Sequence, residues 1–225
     1  VKKPVLLMMG AHVIKVGLSP LLIHLLRKKI VTALAFNGAG VVHDFELAFM
    51  GCTSEDVAAA LADGSFGMAE ETHSLINGAI REGAKRGWGL GYAVGAMINK
   101  KRLPYRALSL LSTCHELGIP ATVHVAVGTD IIHQQSSADG AAIGKTSMAD
   151  FRTLAGVVAD LGSGGVAGNL GSAVILPEVF LKAVSTARNL GHPVKNLTCF
   201  DFDMIRHYRP AENVLKRPTL LGGTA

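Results

Sequence analysis

The sequence predicts an α/β fold with a mainly parallel sheet that is covered by helices on both faces. Short apolar runs of strand length alternate along the chain with longer segments of helical periodicity. Gly and Ala are abundant and aromatic residues make up only 5% of the chain, a composition that suits close packing of helices on a sheet. With 225 residues, 49% of them hydrophobic, the chain can form one domain over residues 1–225 with a large core.

The first half of the chain predicts a strand, a helix and a second strand, followed by several helices. "PVLLMMG" predicts a strand, "LSPLLIHLLRKK" a helix and "IVTALAF" a second strand, and a helix is expected from about Asp44. "TSEDVAAALAD" predicts a helix whose capping signature is Thr53 or Ser54 before Asp56. "MAEETHSLINGAIREGAKRG" and "YRALSLLSTCHELG" predict two further amphipathic helices, and Gly118 ends the second.

The second half continues the alternation of strands and helices. "ATVHVAV" predicts a strand, "SMADFRTLAGVVADLG" a helix, "GVAGNLGS" a strand or turn, and "VKNLTCFDF" the last strand. "LPEVFLKAVSTARNLG" predicts a helix that Gly191 ends. If its apolar segment "LPEVFLKAV" is exposed, we expect it to suit packing between subunits.

Right-handed crossovers bring the carboxyl ends of parallel strands to one edge, where open α/β sheets bind their ligands. The segments expected at this edge are "GAHVIK", "NGAGVVHD", "GTDIIHQ", "NLGSAV" and "CFDFD". We therefore expect Gly40, Asp130, Gly171 and Asp203 to lie on a common rim.

The turn after "IVTALAF" has part of the pattern of a dinucleotide-binding loop. Gly38 and Gly40 would let the backbone approach a pyrophosphate, whose charge would lie at the N-terminus of the next helix. His43 occupies the position of the expected third glycine, so a tight turn without a ligand is the alternative. "GAAIGKTS" has three residues between its glycines where a phosphate-binding loop has four, which argues against ATP binding there.

Composition excludes several classes of function. The net charge is +5, but the basic residues are scattered, so we expect no nucleic-acid partner. The apolar stretch "VLLMMGAHVIKVGLSPLLIHLL" is interrupted by charged, glycine and proline residues, and we expect no membrane span. Cys52, Cys114 and Cys199 lie far apart and form no metal or disulfide pattern, which favours the cytoplasm.

Two groups of polar residues suggest other chemistry. His124, Asp130 and His133 lie near the end of one strand and could be metal ligands of a hydrolase, although hydrogen bonding at the strand end is the preferred interpretation. In "CFDFDMIRHYRPAENVLKRP", Asp201 and Asp203 at a strand end suit a cationic ligand, with a solvated loop as the alternative. Further along, Lys216 could be an amine nucleophile if it is desolvated.

Taken together, the edge segments resemble deoxyhypusine synthase, and their order along the chain is the same. "GAHVIKVGLSPLLIHLL" is similar to the family's T-S-N-L-I-S-S-G-I-R, "NGAGVVHDFEL" to T-A-G-G-V-E-E-D, and "VGTDIIHQ" to T-D-G. "NLGSAVILPEVF" is similar to L-G-G-G-V-x-K, and "RPAENVLKRP" to R-P-D-E-A-V-S-W-G-K. The matching residues are Gly17, Gly40, Val41, Asp44, Thr129, Asp130, Leu170, Gly171, Arg209, Pro210, Glu212 and Val214.

The resemblance implies a Rossmann-like, doubly wound NAD-binding domain that assembles as a homotetramer. It implies a transferase that oxidises spermidine with NAD and passes the aminobutyl group to a protein lysine. A polyamine would be held by Glu212 with Asp201 or Asp203. The residues implied around NAD are Asn37, Gly38, Ala39, Gly40, Asp130, Gly171, Ser172, Ala173 and Thr198.

The chain departs from the family pattern at its catalytic residues. The lysine of W-G-K corresponds to Pro218, so Lys216 would have to replace it, four residues after Glu212. His43 stands at the second glutamate of E-E-D and is expected to accept a proton during amine oxidation. The alternative is a degenerate, non-catalytic subunit that binds a nucleotide or serves in assembly.

Overall fold

Five parallel strands form the central sheet of the computed structural model, which describes residues 3–225. The strands are β1 (Val5–Met9), β2 (Ala33–Asn37), β3 (Ala121–His124), β4 (Val166–Leu170) and β5 (Thr198–Phe202). They lie in the order β3-β2-β1-β4-β5, and every neighbouring pair is parallel. The predicted α/β class with a parallel sheet is confirmed.

The central strand β1 is apolar throughout because both faces of the sheet are covered. In β1, Leu6 and Met8 belong to the hydrophobic cluster on one face, while Leu7 and Met9 belong to the cluster on the other. All four side chains are buried. This pattern is the one that parallel sheets between two helical layers require.

Helices form the two outer layers. Those from the first half of the chain are α1 (His12–Lys15), α2 (Ser19–Arg27), α3 (Gly38–Met50), α4 (Val57–Asp63), α5 (Glu70–Arg86), α6 (Leu90–Lys101) and α7 (Leu110–Leu117). The later ones are α8 (Gly140–Ala159), α9 (Ile175–Asn189), α10 (Tyr208–Pro210), a π-helical segment (Ala211–Lys216) and α11 (Arg217–Thr219). Short 3₁₀ turns span Arg106–Leu108 and Ile131–Gln134. Within residues 3–225 no helix has the length and apolarity needed to cross a membrane.

The strand order creates a switch point between β1 and β4. The chain builds outward from β1 through β2 to β3, and then returns to place β4 on the other side of β1. The crossovers therefore leave the carboxyl ends of β1 and β4 in opposite directions. In folds of this kind, that divergence opens the crevice in which ligands bind.

Helices α3, α8 and α4 begin at residues other than those expected from the sequence, because side-chain caps determine where each helix starts. Helix α3 begins at Gly38 and not near Asp44, since the Asn37 side chain accepts a hydrogen bond from Gly40 N at 3.2 Å. Helix α8 begins at Gly140, since Asp139 caps it. Its first turns consist of the "GAAIGKTS" segment, which is therefore helical and not a loop.

Helix α4 is capped by Asp56, whose carboxylate accepts from Ala59 N at 3.1 Å. The predicted cap at Thr53 or Ser54 is wrong, because both residues lie in the loop before the helix and contact Glu46 instead. Helix α6 was not predicted at all.

The exposure on which subunit packing by the start of α9 depended is not found for its largest apolar residues. Leu176 and Phe180 are fully buried inside the domain, in the cluster that includes Leu6 and Met8 of β1. Its apolar face thus covers this chain's own sheet.

Candidate functional site

The loops that follow β1, β4 and β5 are joined at the carboxyl edge of the sheet. Gly10 N donates a hydrogen bond to Leu170 O at 2.9 Å, and Gly171 N donates to Phe202 O at 2.9 Å. These bonds extend the parallel ladders by one residue beyond the strands. The loops at the switch point therefore start from a fixed common position.

Gly10 and Gly171 touch backbone to backbone where β1 and β4 diverge. A Cβ at position 10 would collide with the carbonyl oxygen of Gly171, so only glycine fits there. Gly171 itself has φ +61°, a left-handed conformation that glycine adopts without strain. Sequence reasoning did not single out Gly10, although a glycine directly after a buried strand is a usable signal.

On the other side of β1, the ends of β2 and β3 meet through Gly38 and Asp130. A Cβ at position 38 would collide with the Asp130 carboxylate. Asp130 is 4% exposed, and its Oδ2 atom has no hydrogen-bond partner among residues 3–225. Burial raises the pKa of this carboxyl, while His133 and Thr129 oppose the shift. A buried acceptor thus lies against the first turn of α3.

A second buried acceptor lies at the end of β4. Asn169 is fully buried, and its Nδ2 donates to Ser172 O at 3.0 Å and to Asp201 Oδ1 at 2.7 Å. Its Oδ1 atom has no partner within the described part of the chain. Ser172 Oγ in turn accepts from Leu176 N in the first turn of α9. Sequence reasoning missed Asn169, because an asparagine inside a short strand gives no distinguishing pattern.

The predicted metal ligands do not form a metal site. His133 Nδ1 accepts from Gly128 N and Asp130 N, and its Nε2 lies 4.0 Å from Asp130 Oδ2. His124 instead contacts Thr122 Oγ1 at 3.0 Å, and burial lowers its pKa to about 4. No group of three or more His, Cys, Asp and Glu residues among 3–225 is arranged to hold a metal ion. The structure thus gives the hydrolase hypothesis no support.

A small cavity of about 180 Å³ opens beside Asp130, against the inner face of α3. His43 and Glu46 line it from α3, Glu55 from the following loop and Asp130 from the loop after β3. His43 Nδ1 lies 2.6 Å from Thr53 Oγ1, and the Thr53 hydroxyl also bonds to Glu46 Oε2. The sequence placed His43 in a site, but gave no sign of its link to Glu46 and Thr53.

The cavity carries acidic groups that form no ion pair with a lysine or arginine among residues 3–225, although the charge of Lys15 reaches His43. Glu55 accepts from Gly67 N at 3.2 Å, Glu46 bonds to Thr53, and Asp130 faces His133. Among the ion pairs within residues 3–225, none joins these three carboxylates to a lysine or arginine. Such a pocket attracts cations.

The acids predicted to hold a polyamine are already engaged by the chain's own groups. Asp201 accepts from Asn169, and Asp203 lies 3.8 Å from His207 Nε2. Glu212 lies 3.2 Å from Lys216 Nζ and 3.7 Å from Arg217 Nε in the C-terminal helical segment.

Lys216 lacks the desolvation that a nucleophilic lysine would require. Its side chain is 65% exposed and its Nζ lies 3.2 Å from Glu212 Oε1, so the amine is not desolvated. In this structure the lysine is a solvated partner of Glu212.

Thr198 lies far from the other residues implied around NAD. It is the first residue of β5, pairs with Val166, and its N–H donates to Gly165 O. It therefore lies at the amino edge of the sheet, opposite the switch point. The residues that share the carboxyl edge are Asn37, Gly38, Ala39, Gly40, Asp130, Gly171, Ser172 and Ala173.

Comparison with known proteins shows the fold and nothing finer. No protein-family model and no curated protein sequence matches the chain. A solved LOR/SDH protein from Methanococcus maripaludis S2 superposes with a TM-score of 0.51 at 17% identity, over 88% of this chain and 49% of that one. This chain thus spans about half the length of that protein. The likeness agrees with the Rossmann-like fold seen here.

Two further solved structures are similar at lower TM-scores. AgrE in complex with ornithine and NAD⁺ has a TM-score of 0.49 at 17% identity, over 90% of this chain and 25% of that chain. A protein from Entamoeba histolytica that is assigned as a deoxyhypusine synthase has a TM-score of 0.48 at 13% identity, over 84% of this chain and 76% of that chain.

Proposed function

We propose that this chain binds NAD at the carboxyl edge of its sheet and uses it to oxidise an amine that enters the acidic cavity. The observation that carries this proposal is the position of Asp130. Its carboxylate lies against Gly38 in the glycine turn, and it also lines the cavity with His43. One residue thus adjoins both the expected cofactor site and the pocket suited to a cation.

The residues at the switch point fit a dinucleotide. Gly10 and Gly171 place no side chain of their own at the crevice, and the N-terminus of α3 lies at the same edge. Asp130 Oδ2 and Asn169 Oδ1 are buried acceptors without a partner within residues 3–225, and they suit hydroxyl or amide donors of a cofactor. When bound, NAD would supply a hydride acceptor.

The cavity supplies the groups that amine oxidation needs from the protein. Glu46, Glu55 and Asp130 would hold a protonated amine, which carries the complementary charge. The amine must lose its proton before a hydride can leave the adjacent carbon. His43 would accept that proton, because burial together with the charges of Lys15 and His12 lowers its pKa and keeps it neutral.

The finer proposal is the aminobutyl transfer that the resemblance to deoxyhypusine synthase implies. It requires spermidine as donor, a protein lysine as acceptor, and Lys216 released from Glu212 as the residue that carries the group. The homotetramer and the polyamine-binding role of Asp201, Asp203 and Glu212 belong to the same proposal. What supports it is the order of the matching segments along the chain.

Thermal denaturation with NAD and with amines tests the proposal. We expect NAD to raise the Tm, and spermidine or putrescine to raise it further when NAD is present, because ligands that bind the folded state stabilise it. Formation of NADH with either amine, followed by absorbance, would establish oxidation. Unchanged Tm values at millimolar NAD would disprove the cofactor assignment.

The second candidate is a non-catalytic nucleotide-binding or assembly subunit. The exposure of Lys216 and its pairing with Glu212 favour it, since the transfer residue of the family is then missing. Stabilisation by NAD without NADH formation for any amine would support this candidate over the enzyme.

A further inference from the structure

Glu46, Thr53 and His43 form a continuous hydrogen-bonded chain that ends in the cavity. Thr53 Oγ1 bonds to Glu46 Oε2 on one side and lies 2.6 Å from His43 Nδ1 on the other. Glu46 is 7% exposed and lines the cavity. His43 Nε2 has no hydrogen bond to any described residue, and it is not among their fully buried unpartnered atoms. It is therefore open to a ligand.

When Glu46 is ionised, the directions of these bonds determine the tautomer of His43. An ionised carboxylate only accepts, so the Thr53 hydroxyl must donate its one proton to Glu46. Thr53 Oγ1 can then only accept from His43, which places the imidazole proton on Nδ1. Nε2 keeps its lone pair and faces outward as a base.

We propose that Glu46 and Thr53 are positioning residues that hold His43 in its Nδ1–H form, and that the three residues act as a proton relay opening into the cavity. When Nε2 takes a proton, the Nδ1 proton can pass to Thr53 while the hydroxyl proton passes to Glu46. Glu46 then ends as the neutral acid and His43 as the neutral Nε2–H tautomer. The net change is the uptake of one proton by the relay, and no bond to carbon forms or breaks.

The surroundings suit storage of a proton on Glu46. Burial and the nearby Glu55 raise the pKa of Glu46, although its hydrogen bonds oppose the shift, so the neutral acid costs less than for an exposed glutamate. Burial, Lys15 and His12 lower the pKa of His43, which disfavours a lasting imidazolium. The charged or titratable groups around the relay are His12, Lys15, Glu55 and Asp130.

The relay suits a ligand that releases a proton inside the cavity, and a protonated primary amine fits the acidic walls. This use of the relay rests on the proposed function, whereas the tautomer does not. The two can therefore fail separately: the tautomer is measured on the free protein, and the amine chemistry requires turnover.

Nitrogen NMR of the full chain labelled with ¹⁵N-histidine tests the relay. Each histidine nitrogen has a chemical shift that reports whether it is protonated, and His43→Gln assigns the signals. We expect His43 to be protonated at Nδ1 and unprotonated at Nε2 near neutral pH. If the spectra show that His43 carries its proton on Nε2 in the ligand-free protein, the proposal is overturned.

Two variants of Thr53 separate positioning from a structural role. Thr53→Val keeps the side-chain shape without the hydroxyl, and we expect it to abolish the preference for Nδ1–H. Thr53→Ser keeps the hydroxyl, and we expect the wild-type tautomer. If valine and serine give the same His43 signals while both proteins remain folded by circular dichroism, the relay is disproved. If neither variant folds, the tautomer of His43 measured in the wild-type protein still tests the proposal.

Discussion

Gly38 lies directly against the carboxylate of Asp130, and this contact joins the first turn of α3 to the loop after β3. The two residues are 92 positions apart in sequence (130 − 38), yet they meet because β2 and β3 are neighbouring parallel strands. The contact requires a residue without a side chain at position 38. It also holds Asp130 Oδ2, which accepts no hydrogen bond from residues 3–225, at the edge where the ligand is expected.

We expect Gly38→Ala to lower the free energy of unfolding by about 1–3 kcal/mol, because the new methyl group collides with Asp130. The double variant Gly38→Ala/Asp130→Ala should recover much of this loss, since the smaller side chain removes the collision. Urea denaturation of the single and double variants measures the coupling. Additive losses in the double variant would show that the contact does not govern stability.

Asp130→Asn is expected to weaken NAD binding about tenfold, which corresponds to about 1.4 kcal/mol. The substitution keeps the size of the side chain but replaces one carboxylate oxygen with an amide donor. Isothermal titration calorimetry with NAD measures the effect.

The matched control for this substitution is Asp160→Asn. Asp160 is exposed at the end of α8, before the amino end of β4, so NAD affinity should not change. Equal affinities of wild type and Asp130→Asn would remove Asp130 from the cofactor site.

We expect Gly10→Ala to disturb the switch point, because its methyl group would collide with the backbone of Gly171. A backbone carbonyl cannot rotate away as a side chain can, so we expect a loss of about 1–3 kcal/mol in stability, together with weaker NAD binding. Thermal unfolding with and without NAD measures both effects.

Gly156→Ala is the control for a glycine without close neighbours. Gly156 is exposed in the interior of α8, and a Cβ there would meet no atom within 4 Å. Alanine favours the helix, so we expect a gain of up to about 1 kcal/mol. A loss of similar size in both variants would mean that the contact of Gly10 with Gly171 has no special importance.

The parallel sheet between two helical layers was predictable, because apolar runs such as that of Leu6 and Leu7 are buried on both faces, whereas the order of the strands was not predicted. Helix α6 was not predictable, because Gly91 and Gly95 argue against a helix. Both glycines are required by tertiary contacts, with the carbonyls of Ala121 and Leu111 respectively. Such contacts override local propensity and leave no trace in a sequence pattern.

That the site segments meet at one edge could be predicted from the parallel topology, but the positions of individual site residues could not. Thr198 was assigned by resemblance, while the start of β5 places it at the opposite edge. Thr53 has the residue type of a helix cap, yet it bonds to His43 and Glu46 because the loop after α3 folds back over that helix. The hydrogen-bond partners of the Thr53 hydroxyl therefore depend on the path of this loop.

A buried carboxyl makes stability depend on pH. Asp150 is 3% exposed, and its Oδ2 accepts from Gly91 N at 3.0 Å and Val123 N at 2.9 Å. Burial raises its pKa from 3.8 to about 7. Burial likewise raises the pKa of Asp44 to about 6, against three hydrogen bonds. Both carboxyls therefore hold protons in the folded state at pH values where the unfolded chain has released them.

We therefore expect the contribution of these two carboxyls to the free energy of unfolding to fall as the pH rises from roughly 4 to 7, because they bind more protons in the folded than in the unfolded state in this window. The contribution is complete below the unfolded pKa and is lost above the folded one, at roughly 1.4 kcal/mol per pKa unit. Asp150→Asn cannot titrate, so its stability should fall less as the pH rises. The remaining slope combines Asp44, Glu46 and Asp130, whose pKa values are raised, with His124 and His43, whose lowered pKa values act in the opposite direction. Urea denaturation across this range measures both proteins. Parallel curves for wild type and variant would show that Asp150 is already ionised in the folded state.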